Sequence, residues 1–148
     1  MPSRAKVRKF RLSDMERLLE IEHASFGRDA YDRNLFAAFF RNCGDLFLVA
    51  DGDRGVRGYA VTCVRGVRAE LVSIAVDPKS RGKGIASALL ESTLRRVRRR
   101  GAARIGLTVR LTNRPARAFY EKYGFRRTRV VRGYYEDGED GLAMTKEL

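Results

Sequence analysis

Apolar positions along this chain recur with two different periods, and each change of period marks an element boundary. Residues 5 to 11, Ala5-Lys6-Val7-Arg8-Lys9-Phe10-Arg11, alternate apolar and basic side chains, which predicts an opening strand with one face buried. Ser13 then reads as a helix N-cap, with Glu16 three residues on completing a capping box. Met15, Leu18, Leu19 and Ile21-Glu22 carry that helix to about Ala24, and Gly27 and Asp29 break it. A second helix from about Asp32 to Asn42 buries Leu35, Phe36, Phe39 and Phe40 and ends at Gly44. Leu46 to Ala50 is a strand, Asp51 to Gly55 a turn, and Gly58 to Val64 a strand pairing back on it. After Arg65-Gly66, residues 68 to 77 form a central strand whose core is the β-branched run Leu71-Val72-Ser73-Ile74-Ala75-Val76, stopped by Pro78. Ile85, Leu89, Leu94 and Val97 then define a helix over about 82 to 100.

Gly101 ends that helix, and Arg104 to Arg110 is the next strand. Asn113 caps a short helix carrying Ala116, Phe119 and Tyr120 and closing at Gly124. Phe125 to Arg132 is a further strand, residues 133 to 141 a loop, and Leu142 to Leu148 the last strand. Three consecutive antiparallel strands thus precede the long helix, and the strand, helix, strand unit that the third of them opens implies one parallel pair joined by a right-handed crossover. The predicted class is α/β (α+β): a mixed sheet with helices on both faces, in a single domain spanning 1–148.

The join between the central strand and the long helix carries the first candidate chemistry. It is glycine-rich and basic, and it feeds a helix N-terminus, where unpaired backbone N–H groups and the helix dipole favour an anion. Gly82 and Gly84 let backbone approach a phosphate without a Cβ in the way, and Arg81 and Lys83 add positive charge. No Lys-Ser/Thr follows the last glycine, so it is not a P-loop; the glycine spacing is not that of a dinucleotide fold. A plain turn that uses glycine for its geometry is the other reading.

Composition narrows the classes. Charged residues are 33% and hydrophobic ones 44%, as in a soluble globular protein. No apolar run approaches a membrane span and no signal peptide is visible, so no membrane partner and a cytoplasmic location are expected. Cys43 and Cys63 are too few and too far apart for a metal site, and no metal is expected; they read as a buried pair of thiols, with a disulfide open as the alternative in a hyperthermophile. The net charge is +13, and 25 of the 31 basic residues are arginine. Such a field attracts nucleic acid, ribosomes, acidic peptides or a polyphosphate cofactor. The absence of glutamine and the small number of asparagines suit a thermophile or a GC-rich genome. The densest cluster, Arg95-Arg96-Val97-Arg98-Arg99-Arg100, has no interleaved aromatics and reads as a solvated helix end, so nucleic acid is not expected as a substrate.

Arg81-Gly82-Lys83-Gly84-Ile85-Ala86 matches the (Arg/Gln)-x-x-Gly-x-(Gly/Ala) signature and so resembles the GNAT N-acetyltransferases. The resemblance implies a mostly antiparallel sheet with a splayed parallel strand pair, and a loop that cradles the pyrophosphate of acetyl-coenzyme A. It also implies that backbone at Ile74, Ala75 and Val76 binds pantetheine and the thioester oxygen. Asn113-Arg114-Pro115-Ala116-Arg117-Ala118-Phe119-Tyr120-Glu121-Lys122-Tyr123-Gly124-Phe125 is similar to a segment of the RimI-type and related N-terminal acetyltransferases. That implies a cofactor hydrogen bond from Asn113 and a proton from Tyr120 to the departing thiolate. Without the motif, Tyr120 would read as a core residue. Gly133-Tyr134-Tyr135-Glu136-Asp137-Gly138-Glu139-Asp140 resembles a loop of the archaeal and eukaryotic protein N-terminal acetyltransferases, in which the tyrosine pair walls a peptide groove. Asp29-Ala30-Tyr31 more weakly resembles the opposite wall.

One departure concerns the base. Relatives of this type often carry Leu-Glu-Val-Arg where this chain has Leu107-Thr108-Val109-Arg110. Thr108 cannot be a base and is expected only to line the substrate site. Glu70, placed by alternation on one strand face with Val72 and Ile74, sits where other members put a catalytic Glu, Tyr or His. A solvated carboxylate paired with Arg68 is the plainer reading of Glu70, and His23 is a base by chemistry alone. The expected function is transfer of acetyl from acetyl-coenzyme A to the α-amino group of protein N-termini, ribosomal proteins among them, by direct attack in a ternary complex. The alternatives are a small-amine acetyltransferase and a non-catalytic basic module that binds ribosome or RNA.

Overall fold

The computed structural model describes residues 5–148. Seven strands form one sheet: β1 (Lys6–Lys9), β2 (Phe47–Gly52), β3 (Gly55–Arg65), β4 (Arg68–Val76), β5 (Arg104–Arg110), β6 (Arg126–Val131) and β7 (Gly141–Glu147). Their order is β1-β2-β3-β4-β5-β7-β6, so the last strand of the chain inserts between β5 and β6. Every neighbouring pair is antiparallel except β4 with β5. The helices are α1 (Met15–Phe26), α2 (Arg33–Cys43), α3 (Ile85–Arg99) and α4 (Arg114–Lys122).

Burial divides the core into two layers, as expected for helices on both faces. One layer packs Ile85, Leu89, Leu90, Leu94 and Val97 of α3 and Tyr120 of α4 against Leu48, Ala60, Leu71, Ile105, Leu107 and Met144. The other packs Met15, Leu18 and Ile21 of α1 and Phe36 of α2 against Phe47, Val49, Tyr59 and Val61. Aromatic rings organise this second layer: Phe10 stacks on Phe47 at 4.1 Å, and Phe36 meets Tyr59 edge-on at 5.6 Å.

Several local expectations change. The Ser13–Glu16 capping box does not form. A 3-10 turn over Leu12–Asp14 precedes α1, and the Asp14 carboxylate takes the Arg11 backbone N–H at 2.8 Å and the Arg8 guanidinium at 2.9 Å. A carboxylate that holds both a backbone N–H and a guanidinium wins over a serine cap. Helix α3 begins at Ile85 rather than near 82 because Gly82 and Gly84 both adopt φ of 78°, outside the helical region. Leu35 is more than a third exposed rather than buried. Cys43 and Cys63 are not free thiols but a disulfide, with Cα atoms 5.2 Å apart, tying the end of α2 to β3.

Two irregularities shape the middle of the sheet. Val61 pairs with Ser73 but Thr62 pairs with Leu71, so Val72 is an extra residue in β4, a β-bulge. Because of it Val72 and Ala75 pack into the α1/α2 layer while Ala69, Leu71, Ile74 and Val76 pack into the α3 layer. Strict alternation is broken: Ile74 does not share a face with Glu70, and Ser73 does. The second irregularity is the parallel ladder itself, which runs from Arg68↔Arg104 only to Glu70↔Gly106. Beyond that point β4 and β5 part.

The disulfide closes a loop with a sequence separation of 20. Chain-entropy arguments put its contribution at about 3 kcal/mol for a loop of this size. Replacing both cysteines by alanine should lower unfolding stability by about 2–4 kcal/mol in denaturant titration, and thiol titration of the unfolded, unreduced protein should find no free thiol.

Candidate active site

Where β4 and β5 part, the sheet opens into a cleft of about 560 Å³. Glu70–Ile74 and Leu107–Arg110 form its floor. Glu22, Phe26, Asp29 and Tyr31 line one side, and Tyr134 and Tyr135 the other; Asn113, Ala116 and Tyr120 enter from α4. The structure therefore brings together Asp29, Tyr31, Glu70, Ile74, Thr108, Asn113, Tyr120, Tyr134 and Tyr135. Ala75, Val76 and Arg81–Ala86 are not part of this lining and lie at and beyond the C-terminal end of β4. His23 is exposed and outside the cleft. A second hollow of about 450 Å³ beside the disulfide, lined by Lys9, Phe40, Arg41 and Arg100, contains none of the expected site residues.

The loop after β4 is anchored at its root and open at its tip. Asp77 caps the short turn Pro78–Ser80 through the Lys79 N–H at 3.1 Å and is itself held by Arg17. Buried Ser80 accepts from Arg57 at 2.7 Å. With its root fixed, Arg81–Gly84 is exposed, and a Cβ placed on Gly82 or Gly84 would meet nothing within 4 Å. No side chain caps α3, whose first intrahelical bond runs from Ala88 N to Gly84 O at 3.0 Å. The N–H groups of the first turn are left for a ligand.

Glu70 opens onto the cleft. A Cβ on Gly106 would lie 3.3 Å from its Oε2, so the carboxyl sits over the place where the ladder ends. Desolvation there raises its pKa above the ordinary carboxylate value, against the opposing charge of Arg68. No ion pair joins Glu70 to Arg68 among the described residues. Tyr120 is 6% exposed, with Phe119 and Phe125 edge-on at 5.3 and 5.6 Å. Burial raises its pKa, and the neighbouring Tyr135 adds to the shift. Asn113 caps α4 by accepting from Ala116 N at 3.2 Å, which leaves its amide donors free for another partner.

Arg110, named above only as part of a strand, ties the two side walls. Its guanidinium bonds Asp29 on one wall, and Asp137 and Glu139, both at 2.8 Å, on the other. It also lies 4.1 Å from the Tyr135 ring centroid. Its pKa is raised, chiefly by Glu139. Asp137 and Glu139 are held below the usual carboxylate range, first by the Glu139 backbone N–H and the Thr112 hydroxyl respectively, and then by Arg110. Three carboxylates on one planar fork neutralise the cation in place and set the spacing of the walls.

Sequence reasoning also passed over Glu22, Tyr59 and Ser73. Glu22 is 1% exposed, accepts the Tyr31 backbone N–H at 2.9 Å and takes the Tyr59 hydroxyl; that hydroxyl lies 2.8 Å from Ser73 Oγ. A signal was present. With Met15 and Leu18, Glu22 falls at i, i+3, i+7 on the apolar stripe of α1, where a charge is rare unless it has partners.

The acetyltransferase (GNAT) family model matches residues 12–125, most of the chain. The chain belongs to the GNAT acetyltransferase family. An N-alpha-acetyltransferase of Saccharolobus solfataricus is 33% identical over 96% of this chain and 92% of its own. Among solved structures, Ard1 from Thermoplasma volcanium superposes with a TM-score of 0.93 at 28% identity, covering 97% of both chains. The ribosomal-protein-S18-alanine N-acetyltransferase of Escherichia coli does so with a TM-score of 0.86 at 29% identity, covering 97% of this chain and 93% of that one. GNAT acetyltransferases draw their acetyl group from acetyl-coenzyme A. The open, glycine-walled, uncapped N-terminus of α3 suits a pyrophosphate, and the free edges of β4 and β5 suit an extended amide-bearing arm. Gly84→Val in this acetyltransferase should lower acetyl-coenzyme A affinity by about tenfold or more, 1.4 kcal/mol per decade, in calorimetry on protein that circular dichroism shows to be folded. Unchanged affinity would remove this loop as the phosphate site.

Proposed function

We propose that this acetyltransferase acetylates the α-amino group of protein N-termini, ribosomal proteins among the candidates, with acetyl-coenzyme A as donor in a ternary complex. The observation that carries the reading is the groove: two walls, Asp29–Tyr31 and Tyr134–Tyr135, stand on either side of the split sheet and are tied by one arginine. An extended chain entering such a groove brings its terminus to the point where β4 and β5 part. The S. solfataricus relative, an N-alpha-acetyltransferase, supports the same substrate class.

The roles follow from chemistry. Gly82, Gly84 and the first-turn N–H groups of Ile85 and Ala86 hold the pyrophosphate, with Arg81 and Lys83 adding charge. The free backbone edge at Ile74, Ala75 and Val76 and the amide of Asn113 hold the pantetheine arm. Bound there, the donor supplies an activated acetyl group. Thr108, Asp29, Tyr31, Tyr134 and Tyr135 orient the incoming peptide. A peptide N-terminus has a pKa of about 7.7–8.0 and at neutral pH is mostly ammonium. Glu70 takes a proton from it, and its raised pKa brings the base nearer the working pH. Tyr120, kept protonated by burial, returns a proton to the thiolate.

A thiol-release assay against N-terminal peptides, ribosomal-protein N-termini among them, and against polyamines and aminoglycosides tests the substrate class. We expect peptide turnover and little with small amines. The opposite preference would replace the peptide reading, and cofactor binding without turnover of any amine would replace catalysis altogether.

Two substitutions test the acid and the base. Tyr120→Phe should lower kcat about 10²-fold with acetyl-coenzyme A affinity unchanged; a rate within a factor of two of wild type returns Tyr120 to the core alone. Glu70→Gln should lower kcat at pH 7 by about 10²- to 10⁴-fold, and the deficit should shrink toward pH 9.5, where the amine is already neutral. A deficit equal at both pH values would make Glu70 a residue that positions substrate.

A further inference from the structure

An ammonium nitrogen that becomes an amide nitrogen loses two protons. Over the whole reaction one ends on the thiol by way of Tyr120 and the other reaches solvent. While the amine attacks, however, Tyr120 still holds its own proton and Glu70, a single carboxylate, takes only one, so the immediate acceptor of the second proton is unassigned. Of the other two carboxylates of the cleft, Asp29 is bonded to Arg110, and Glu22 stands at the end of a hydrogen-bonded chain. The Tyr59 hydroxyl donates its one proton to Glu22, so toward Ser73, at 2.8 Å, its oxygen is the acceptor and Ser73 the donor. With its own proton turned inward, Ser73 Oγ is left with lone pairs, and Ser73 lines the cleft floor. The bulge at Val72 is what turns Ser73 to this side of the sheet.

We propose that Ser73, backed by Tyr59 and Glu22, is a second proton acceptor for the substrate amine. The step balances as one shift along the chain. The N–H bond breaks as a new Ser73 O–H forms. The original Ser73 proton passes to Tyr59, and the Tyr59 proton passes to Glu22, whose carboxylate becomes a carboxylic acid. After product leaves, the same chain runs backward and releases the proton to water in the cleft. Desolvation holds the pKa of Glu22 above the ordinary carboxylate value, while the bonds from Tyr59 and the Tyr31 N–H act the other way. Ser73 is the only member that would touch substrate; Tyr59 and Glu22 are positioning residues behind it.

The inference rests on acetyl transfer to an amine but not on the peptide class. It is therefore tested with whichever amine the panel shows to be turned over, and a failure of the peptide reading leaves it standing. Single-turnover rates of wild type, Ser73→Ala, Ser73→Thr, Tyr59→Phe and the double variant Ser73→Ala/Tyr59→Phe are measured in H2O and D2O on protein with acetyl-coenzyme A bound. Ser73→Ala should slow the step by about 10²-fold, and Ser73→Thr, which keeps the hydroxyl, should recover most of the rate. The double variant should be no slower than the slower single one, since both break one chain. Rates plotted against D2O fraction should curve for wild type, with several protons in flight, and be straight for Ser73→Ala. Ser73→Ala within a factor of two of wild type, Ser73→Thr as slow as Ser73→Ala, or losses that multiply in the double variant would overturn the proposal. Tyr59→Phe removes a hydroxyl from a buried site; should it fail to fold, the alanine and threonine variants of Ser73 decide the matter alone.

Discussion

The cleft of this protein depends on a parallel strand pair that stays together for only a few residues. From Glu70 and Gly106 onward, β4 keeps its ladder to β3 and β5 keeps its ladder to β7, but the two no longer bond each other. Backbone donors and acceptors on the facing edges are left without sheet partners. A buried polar group without a partner costs about 1–3 kcal/mol, so such an opening persists only where water or a ligand enters. The gap thus leaves room for a ligand held by backbone, which places little demand on a floor residue as plain as Ile74. The structure supports it from both sides: α3 and α4 pack one layer of the core, which reaches both strands through Leu71 and Ile74 of β4 and Leu107 and Val109 of β5, and α1 and α2 pack the other.

Charge is distributed unevenly around that opening. The chain as a whole is +13, yet the cleft is lined by Glu22, Asp29 and Glu70. The cation at its edge, Arg110, is already bonded to three carboxylates. Positive charge lies instead at Arg81 and Lys83, ahead of the α3 N-terminus, and along the Arg95–Arg100 helix end and the exposed edge strand β6. The division matches two ligands of opposite character, a polyphosphate outside the sheet and an amine within it. A field of one sign would favour one and repel the other.

The Arg110 cluster and the Glu22 network do related work at opposite depths. Arg110 joins the two walls near solvent, where ion pairs are individually weak and only a network with good geometry holds. Glu22 fastens Tyr31 to the sheet from beneath through a buried carboxylate, where removing one partner would leave an unsatisfied charge. Together they hold a loop that contains no regular strand or helix beyond a single 3-10 turn.

Local pattern by itself placed the elements, their order and the two-layer core, because burial of a periodic face is a property of neighbouring residues. It also marked the glycine-rich basic loop, since the glycines that adopt positive φ and the helix they feed are contiguous; Asn113, Tyr120, Tyr134 and Tyr135 stood out only through their resemblance to acetyltransferase motifs, and Glu70 through that resemblance together with strand alternation. What it missed comes from pairings between distant residues. The start of α1 moved because Asp14 answers to Arg8 across a turn. Cys43 and Cys63 bond because α2 ends beside β3. The face assigned to Ile74 was wrong because period two holds only while a strand has no bulge, and the bulge at Val72 is visible only in the register with β3. Glu22 looked like one more helix-building glutamate, although its place on an apolar stripe was a clue. Its partner Tyr59, and Ser73 that bonds Tyr59 in turn, lie 37 and 51 positions further along the chain, so only the folded sheet, by bringing α1, β3 and β4 into one layer, could show the network that carboxylate joins.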